Sequence, residues 1–383
     1  MKRMFMAMLA LMLMLGGVGC AKDAAGTEGE GEQTPAPQAV KTPQAQEDFS
    51  ILGLIVNDDG SDSAYLTMYG FLHTAETLGY AAKLYRAAPG GEAQAAVEQA
   101  SADGVDALMI FDPTGANSAV FSLASSKGML VAAPYYECAA EGVDANIVAD
   151  TAEYYDELAR GLAERMVERS LKSGRILVYG KQPGECLAMF EKSMQESYPQ
   201  FLVVPFTRTA VEEQAAVDEL AQFLLYNRDI KGLYVIDADA SSIAVRARNQ
   251  AQKTFRSEGA PSPTPMPEAT PQPSLLPGQS LAPEYTPNPG LLTQISITIF
   301  GNGLSDDNYD LFNDNDIYAL CIEPYYEAAA QGTMTLDKLL RGEKAAAVAR
   351  VNRPLVYNDT ADKYKAIYEQ MKVMFGRQDG ENP

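Results

Sequence analysis

From Ile51 onward, short apolar runs alternate with longer stretches whose apolar residues recur every three or four positions. A short unbroken apolar run suits a strand buried on both faces, and the wider spacing suits a helix with one buried face. The alternation therefore predicts parallel strands joined by crossover helices. A first series places strands at ILGLIV from Ile51, AKLYR from Ala82, DALMIF from Asp106 and MLVAAP from Met129. A second places them at RILVYG from Arg175, FLVVPF from Phe201, KGLYVID from Lys231 and ISITIF from Ile295. Helical patterns fill 64–78, 92–102, 151–170, 211–226 and 240–255. Two series of similar length predict an α/β fold of two doubly wound, Rossmann-like parallel-sheet lobes. A further run, IYALCIE from Ile317, precedes a helix over 325–341 and a short strand near 354–357. Asp359-Thr360 is placed to cap a last helix ending near Phe375.

Two stretches break the pattern. Residues 1–20 read as an export signal, with Lys2 and Arg3 ahead of the apolar run Phe5 to Leu15 and a small-residue end at Gly16 to Cys20. That run is shorter than the roughly 20 apolar residues a membrane-spanning helix needs. Residues 21–48, rich in Ala, Gly, Glu, Gln, Pro and Thr, read as a disordered tether. The second break covers about 257–292, which holds ten of the 22 prolines. It lies between a helix and the following strand, hence at the edge of a parallel sheet remote from any ligand, and reads as a surface insertion or a polyproline docking segment.

Composition narrows the chemistry. Lys+Arg number 30 and Asp+Glu 51 over 383 residues, for a formal net charge of −21. So acidic a chain lacks the cationic face that binds a phosphate backbone, which excludes nucleic acid as a partner. One histidine, His73, and four scattered cysteines cannot supply a His/Cys zinc site, so no metal or other cofactor is expected. No Ser or Cys sits in a G-x-S-x-G elbow or beside a second histidine, which argues against a hydrolase and, with the rest, against an enzyme. Cys138, Cys186 and Cys321 can form at most one disulfide, and their apolar or small-residue surroundings favour free thiols. Gly301-Asn302-Gly303 lacks the third glycine of a dinucleotide fingerprint. The run from Asp306 has Leu311 and Ile317 where a calcium loop needs Gly and Glu, so it reads as the cap of a short helix.

The ordered set IVNDDGSDSAY, GFLHTAETLGY, DGVDALMIFDPTGANSAV, SKGMLVAAPYY, ANIVADTAEYYDELARGLAERM, GRILVYG, DIKGLYVIDADASSIAV and ITIFGNG, ending in the LLRGE helix tail, covers about residues 50–357. It resembles the type 1 periplasmic (solute) binding proteins, the ribose- and galactose-binding group, and Val18-Gly19-Cys20 resembles a bacterial lipobox, although Gly17 stands where Leu is usual. The resemblance implies two lobes joined by three chain crossings that close over a small solute. It further implies a lipid anchor at Cys20, a place outside the cytoplasm, a monomer, and an ABC permease or membrane sensor as partner. Lobe 1 is expected over 50–137 plus 324–349, lobe 2 over 138–323 plus 350–360, and a C-terminal helix and tail over 361–383, packed on one lobe.

Carried over position by position, the resemblance puts Tyr65, Asp112, Tyr135, Tyr136, Asp237, Asn302 and Glu323 around the solute, with Asp59, Lys181 and Asp239 further out. The Asp-Arg pair of the sugar binders is replaced by Tyr135 and Tyr136, their lobe 2 arginine falls near Phe190 and their aromatic wall near Val211. Carboxylates without a matching arginine predict an electronegative gap suited to a neutral or cationic sugar, nucleoside or amine. A degenerate interaction lipoprotein without transport is the competing reading.

Overall fold

The computed structural model describes residues 50–57, 59–87, 93–112, 118–258 and 295–377. The signal at 1–20, the lipidation site Cys20, the tether at 21–48 and all but the first residues of the Pro-rich stretch lie outside the described residues. In chain order β1 (Ile51–Asn57), α1 (Asp62–Leu78), β2 (Ala81–Ala87), α2 (Ala93–Ala102), β3 (Ala107–Phe111), α3 (Ser118–Ser126), β4 (Leu130–Tyr135) and β5 (Ala145–Asp150) build the first lobe. The second holds α4 (Ala152–Glu168), β6 (Gly174–Gly180), α5 (Gly184–Ser197), β7 (Phe201–Thr207), α6 (Glu213–Tyr226), β8 (Ile230–Val235), α7 (Ser241–Glu258), β9 (Thr298–Asn302), α8 (Asp306–Asn313) and β10 (Ala319–Cys321). The chain then returns through α9 (Tyr325–Leu340) and β11 (Val348–Asn352) to lobe 1, crosses again to β12 (Leu355–Val356), and ends in α10 (Ala361–Phe375).

Each sheet has six strands, in the orders β11-β5-β4-β3-β1-β2 and β12-β10-β9-β8-β6-β7. All pairs are parallel except β10 with β12. Both orders reverse direction between the first and third strands of their lobe, and such switch points open a crevice at the carboxyl edge. The apolar runs are buried on both faces: Leu52, Leu54, Val56, Met109, Leu177, Val178 and Leu233 are all fully buried. This is the two-lobe α/β architecture the periodicity predicts.

The lobe boundaries differ from the expectation. β5 pairs with β4, so the first crossing falls at Asp150–Ala152 and not at 137/138. The run ANIVAD, whose burial alternates, forms β5 and so belongs to lobe 1, although the expected boundary at 137/138 puts it in lobe 2. β11 likewise belongs to lobe 1, moving the last crossing from 349/350 to Arg353-Pro354. Thr360 occupies the start of α10 but makes no side-chain bond to the helix; its hydroxyl turns back to Tyr357. Ser305 does cap α8, accepting from the Asn308 amide at 3.2 Å, as the reading of that run requires. Cys138, Cys186 and Cys321 are free, with Cys321 buried. No described helix is long and apolar enough to cross a membrane.

α10 does not pack on one lobe. Ala361, Tyr364 and Tyr368 join the core of lobe 2, while Met371 and Phe375 pack on Leu66 and Tyr69 of α1 in lobe 1. Beside it, α1 and α9 approach closely at Gly70, where a Cβ would lie 2.5 Å from the Tyr326 carbonyl oxygen. Burial raises Glu327 of α9 above the usual carboxylate range, against the opposing pull of Lys363 and Tyr364 of α10. Its Oε1 has no hydrogen-bond partner among the described residues.

Two outcomes follow. Gly70→Ala should lower stability by about 1–3 kcal/mol in denaturant unfolding, because a backbone oxygen cannot yield as a side chain can. Glu327, with its native pKa raised, contributes stability below its unfolded pKa and loses it as pH rises through the folded value. Glu327→Gln should therefore raise the melting temperature at neutral pH, and that gain should shrink as the pH falls below about 4 and the carboxyl becomes protonated in both states. A gain independent of pH would show that burial of the charge is not the cause.

Candidate functional site

Six of the seven candidate residues sit at or just past strand carboxyl ends: Asp112 after β3, Tyr135 and Tyr136 at the end of β4, Asp237 after β8, Asn302 ending β9 and Glu323 after β10. Tyr65 follows β1, in the first turn of α1, whose cap Ser61 accepts from the Ala64 amide at 3.3 Å and in turn donates to Asp59. The two carboxyl edges meet through side chains. Tyr135 Oη of lobe 1 donates to Glu323 Oε2, and Arg353 Nη2, at the last crossing, donates to Glu323 Oε1. The Ile322 amide donates to the Pro354 carbonyl at 3.0 Å, so the second and third crossings are also tied through the backbone.

Around this knot lie stacked rings. Tyr135 lies 4.4 Å from Tyr325 at an interplanar angle of 25°, and Tyr136 meets Tyr135 edge-on at 4.5 Å. Arg353 stacks over Tyr154 of α4 with its guanidinium carbon 4.4 Å from the ring centre. Tyr135 itself has φ +78, a conformation that disfavours a bulky residue and is held only where its surroundings over-determine it. Burial raises the Tyr135 hydroxyl far above its usual range and pushes Tyr325 up to about 12, so both are neutral donors at physiological pH. Tyr136, by contrast, is 37% exposed. Arg353 Nε is buried without a hydrogen-bond partner among the described residues.

A second network lies within lobe 2. Asp237 Oδ2 accepts from the Lys181 amide at 2.6 Å, and Asn302 Nδ2 donates to the Ile236 carbonyl at 2.5 Å. Asn308 Nδ2 donates to the Asn302 carbonyl at 2.8 Å. Asp239 receives Lys181 at 2.9 Å and Arg208 at 3.0 Å, and these cations hold its carboxyl below the usual range although burial acts the other way.

The structure thus gathers Tyr135, Tyr136 and Glu323 into one cluster and Asp237 and Asn302 into another. Asp112 is buried at the lobe 1 wall, and Tyr65 is drawn under the C-terminal helix, 5.2 Å from Phe375 with the Arg377 guanidinium 4.8 Å over its ring. Two expectations need correction. With lobe 1 expected to end at 137, Tyr135 and Tyr136 would stand at the first crossing, which instead comes after β5. The expectation of carboxylates without cations holds only in part: Arg353 faces Glu323, and Lys181 and Arg208 face Asp239, whereas Asp237 accepts from the Lys181 backbone amide. Phe190, aligned with a sugar-binder arginine, is core, and Val211 is 89% exposed. The sequence reading missed Arg353, Tyr325 and Tyr154; the signal was the Arg353-Pro354 step at the third crossing and the aromatic directly after Glu323-Pro324.

No family model matches the chain, and no curated protein does. Solved structures do. AraP, an arabinose-binding protein from Geobacillus stearothermophilus, superposes with TM-score 0.58 at 14% identity over 82% of this chain and 99% of its own. A sugar-binding protein of a sugar ABC transporter from Bacillus halodurans gives 0.57 at 14% identity, covering 82% and 100%. An ABC transporter periplasmic solute-binding protein from Actinobacillus succinogenes with bound D-allose gives 0.56 at 13%, covering 82% and 100%. The chain has the two-lobe fold of the type 1 periplasmic binding proteins.

The Glu323–Arg353 pair is largely shielded, with side-chain exposures of 25% and 13%. Removing one partner of such a pair strands the other's charge, whereas replacing both by apolar groups costs less. Glu323→Gln and Arg353→Met should each destabilise by roughly 2 kcal/mol, with a coupling of about 1–3 kcal/mol in a double-mutant cycle read by denaturant unfolding. Additive losses would mean the pair holds nothing together.

Proposed function

We propose that this protein captures a small, neutral, polyhydroxylated solute such as a monosaccharide between its lobes and hands it to an ABC permease, acting outside the cytoplasm as a lipoprotein anchored through Cys20. The observation that carries this reading is the base of the gap. Two doubly wound sheets bring their carboxyl edges together there, on a Tyr135–Glu323–Arg353 knot with an unmet buried donor at Arg353 Nε. Tyrosine faces, with Glu323 paired to Arg353 and Asp239 to Lys181 and Arg208, offer donors, acceptors and stacking surface to a hydroxylated solute, and Asp237 adds an acceptor held by the Lys181 amide. The likeness in fold to an arabinose binder and to a solute-binding protein with bound D-allose supports the same class of ligand. Asp112, Tyr136, Asp237 and Asn302 are the walls, Tyr135 and Glu323 the base, and Tyr65 the rim. The role is binding and delivery, not catalysis.

Thermal-shift screening of the purified chain against monosaccharides, nucleosides, amines and sugar phosphates tests this. A neutral monosaccharide at about a hundredfold over its Kd should stabilise by roughly 2.7 kcal/mol. Tyr136→Ala should remove that shift while the ligand-free chain still folds, at a slightly lowered melting temperature. A sugar phosphate as the best ligand, or an undiminished shift in Tyr136→Ala, would contradict the proposal.

A further inference from the structure

The C-terminal helix α10 presents two adjoining stripes to two different bodies. Ala361, Tyr364, Lys365, Tyr368 and Lys372 recur at helical spacing and meet lobe 2. Lys365 Nζ lies 5.1 Å from the Tyr309 ring centre, and Lys372 Nζ donates to both carboxylate oxygens of Asp306 at 3.0 Å. Ile367, Gln370, Met371 and Phe375 recur at the same spacing and meet lobe 1: Met371 is fully buried against Leu66 and Tyr69, and Tyr69 Oη donates to Gln370 Oε1. Just past the helix, Arg377 pairs with Asp62 and covers Tyr65.

The anchor points are alike in one respect, though not at equivalent strands of the two lobes. Asp62 begins α1, which follows β1, and Asp306 begins α8, which follows β9; both are first-turn acids at a carboxyl edge, where they also complement the helix dipole. α10 therefore spans the rim of the gap from one lobe to the other. The chain enters it from β12 of lobe 2 after four residues, 357–360, so that end is covalently held. On lobe 1 the helix is held through Ile367, Gln370, Met371, Phe375 and Arg377, and Tyr364 also meets Glu327 of α9.

We propose that α10 is an interlobe strap: it holds the lobes at one separation in the absence of solute, and its lobe 1 end must release α1 before the gap can widen. Two rigid bodies joined by three crossings can move only as a hinge, and a helix packed on both at the rim opposes that motion with every contact that motion would break. Covering Tyr65 makes the strap also a gate on one wall of the gap. The meaning of this gate rests on the solute-binding reading above; the restraint on the lobes does not.

Fluorophores introduced through unnatural side chains at exposed Gln94 in lobe 1 and Val211 in lobe 2 report the interlobe distance in the full chain without any solute. The parent should give one narrow distance. Arg377→Asp, which sets two acids against each other, should add a second, longer population, and Asp62→Arg in the same chain should restore the parent's single distance. An unchanged distance distribution in folded Arg377→Asp overturns the strap. Should Arg377→Asp not fold, Phe375→Ala and Tyr69→Phe loosen the same end without adding charge, and the parent's distribution in both has the same consequence. Because no solute enters the measurement, failure of the ligand screen leaves this result intact, and failure of the strap leaves the ligand screen intact.

Discussion

Everything at the centre of the molecule is organised around one carboxylate. Glu323 receives Arg353 on one oxygen and Tyr135 on the other, so a single side chain at the second crossing touches lobe 1 and the third crossing at once. A charge with so little water around it is tolerable only when paired and hydrogen-bonded. That requirement fixes where Arg353 must lie, and Arg353 in turn seats itself on the Tyr154 ring at the start of lobe 2. The unusual backbone of Tyr135 fits the same scheme. Its strain is held by Glu323 at the hydroxyl, Tyr325 on the face and Tyr136 at the edge.

The same pairing bears on the solute proposed for the gap. The chain as a whole is strongly acidic, but net charge describes the surface and its long-range field, not the potential inside a cleft. There the local cations matter: Arg353 answers Glu323, while Lys181 and Arg208 answer Asp239. With those two carboxylates neutralised in place, the proposed preference for a neutral polar molecule rests on hydroxyl donors, amide acceptors and ring faces.

The end of the chain adds a second constraint between lobes. Doubly wound lobes related by a hinge are free to change their separation, and α10 opposes that freedom by using two faces of one helix. Its lobe 1 contacts include a fully buried methionine, an ion pair and a hydroxyl bond, its lobe 2 contacts two tyrosines and the Lys372–Asp306 pair. The buried Glu327 beside Tyr364 shows that the strap closes over polar groups as well as apolar ones.

Sequence alone determined what is local or periodic. Doubly buried strands appear as apolar runs, crossover helices as a 3–4 repeat, and the carboxyl ends of strands follow from both, so the lobes and six of the seven named candidates fell just past a strand end without any contact being known. β5 and β11 were not assigned to lobe 1, because a short strand with alternating burial states its face but not its partner; only pairing with β4, and then with β5, decides the sheet. Arg353 was passed over for a related reason. Its partner lies 30 positions away, and no spacing in one dimension reveals that two crossings run side by side. The double footing of α10 was hidden too, since its two stripes merge in sequence into one broad amphipathic pattern. Periodicity tells a helix how much of itself to bury; only the tertiary arrangement decides against which body, because that depends on where two lobes, each folded by its own core, come to rest.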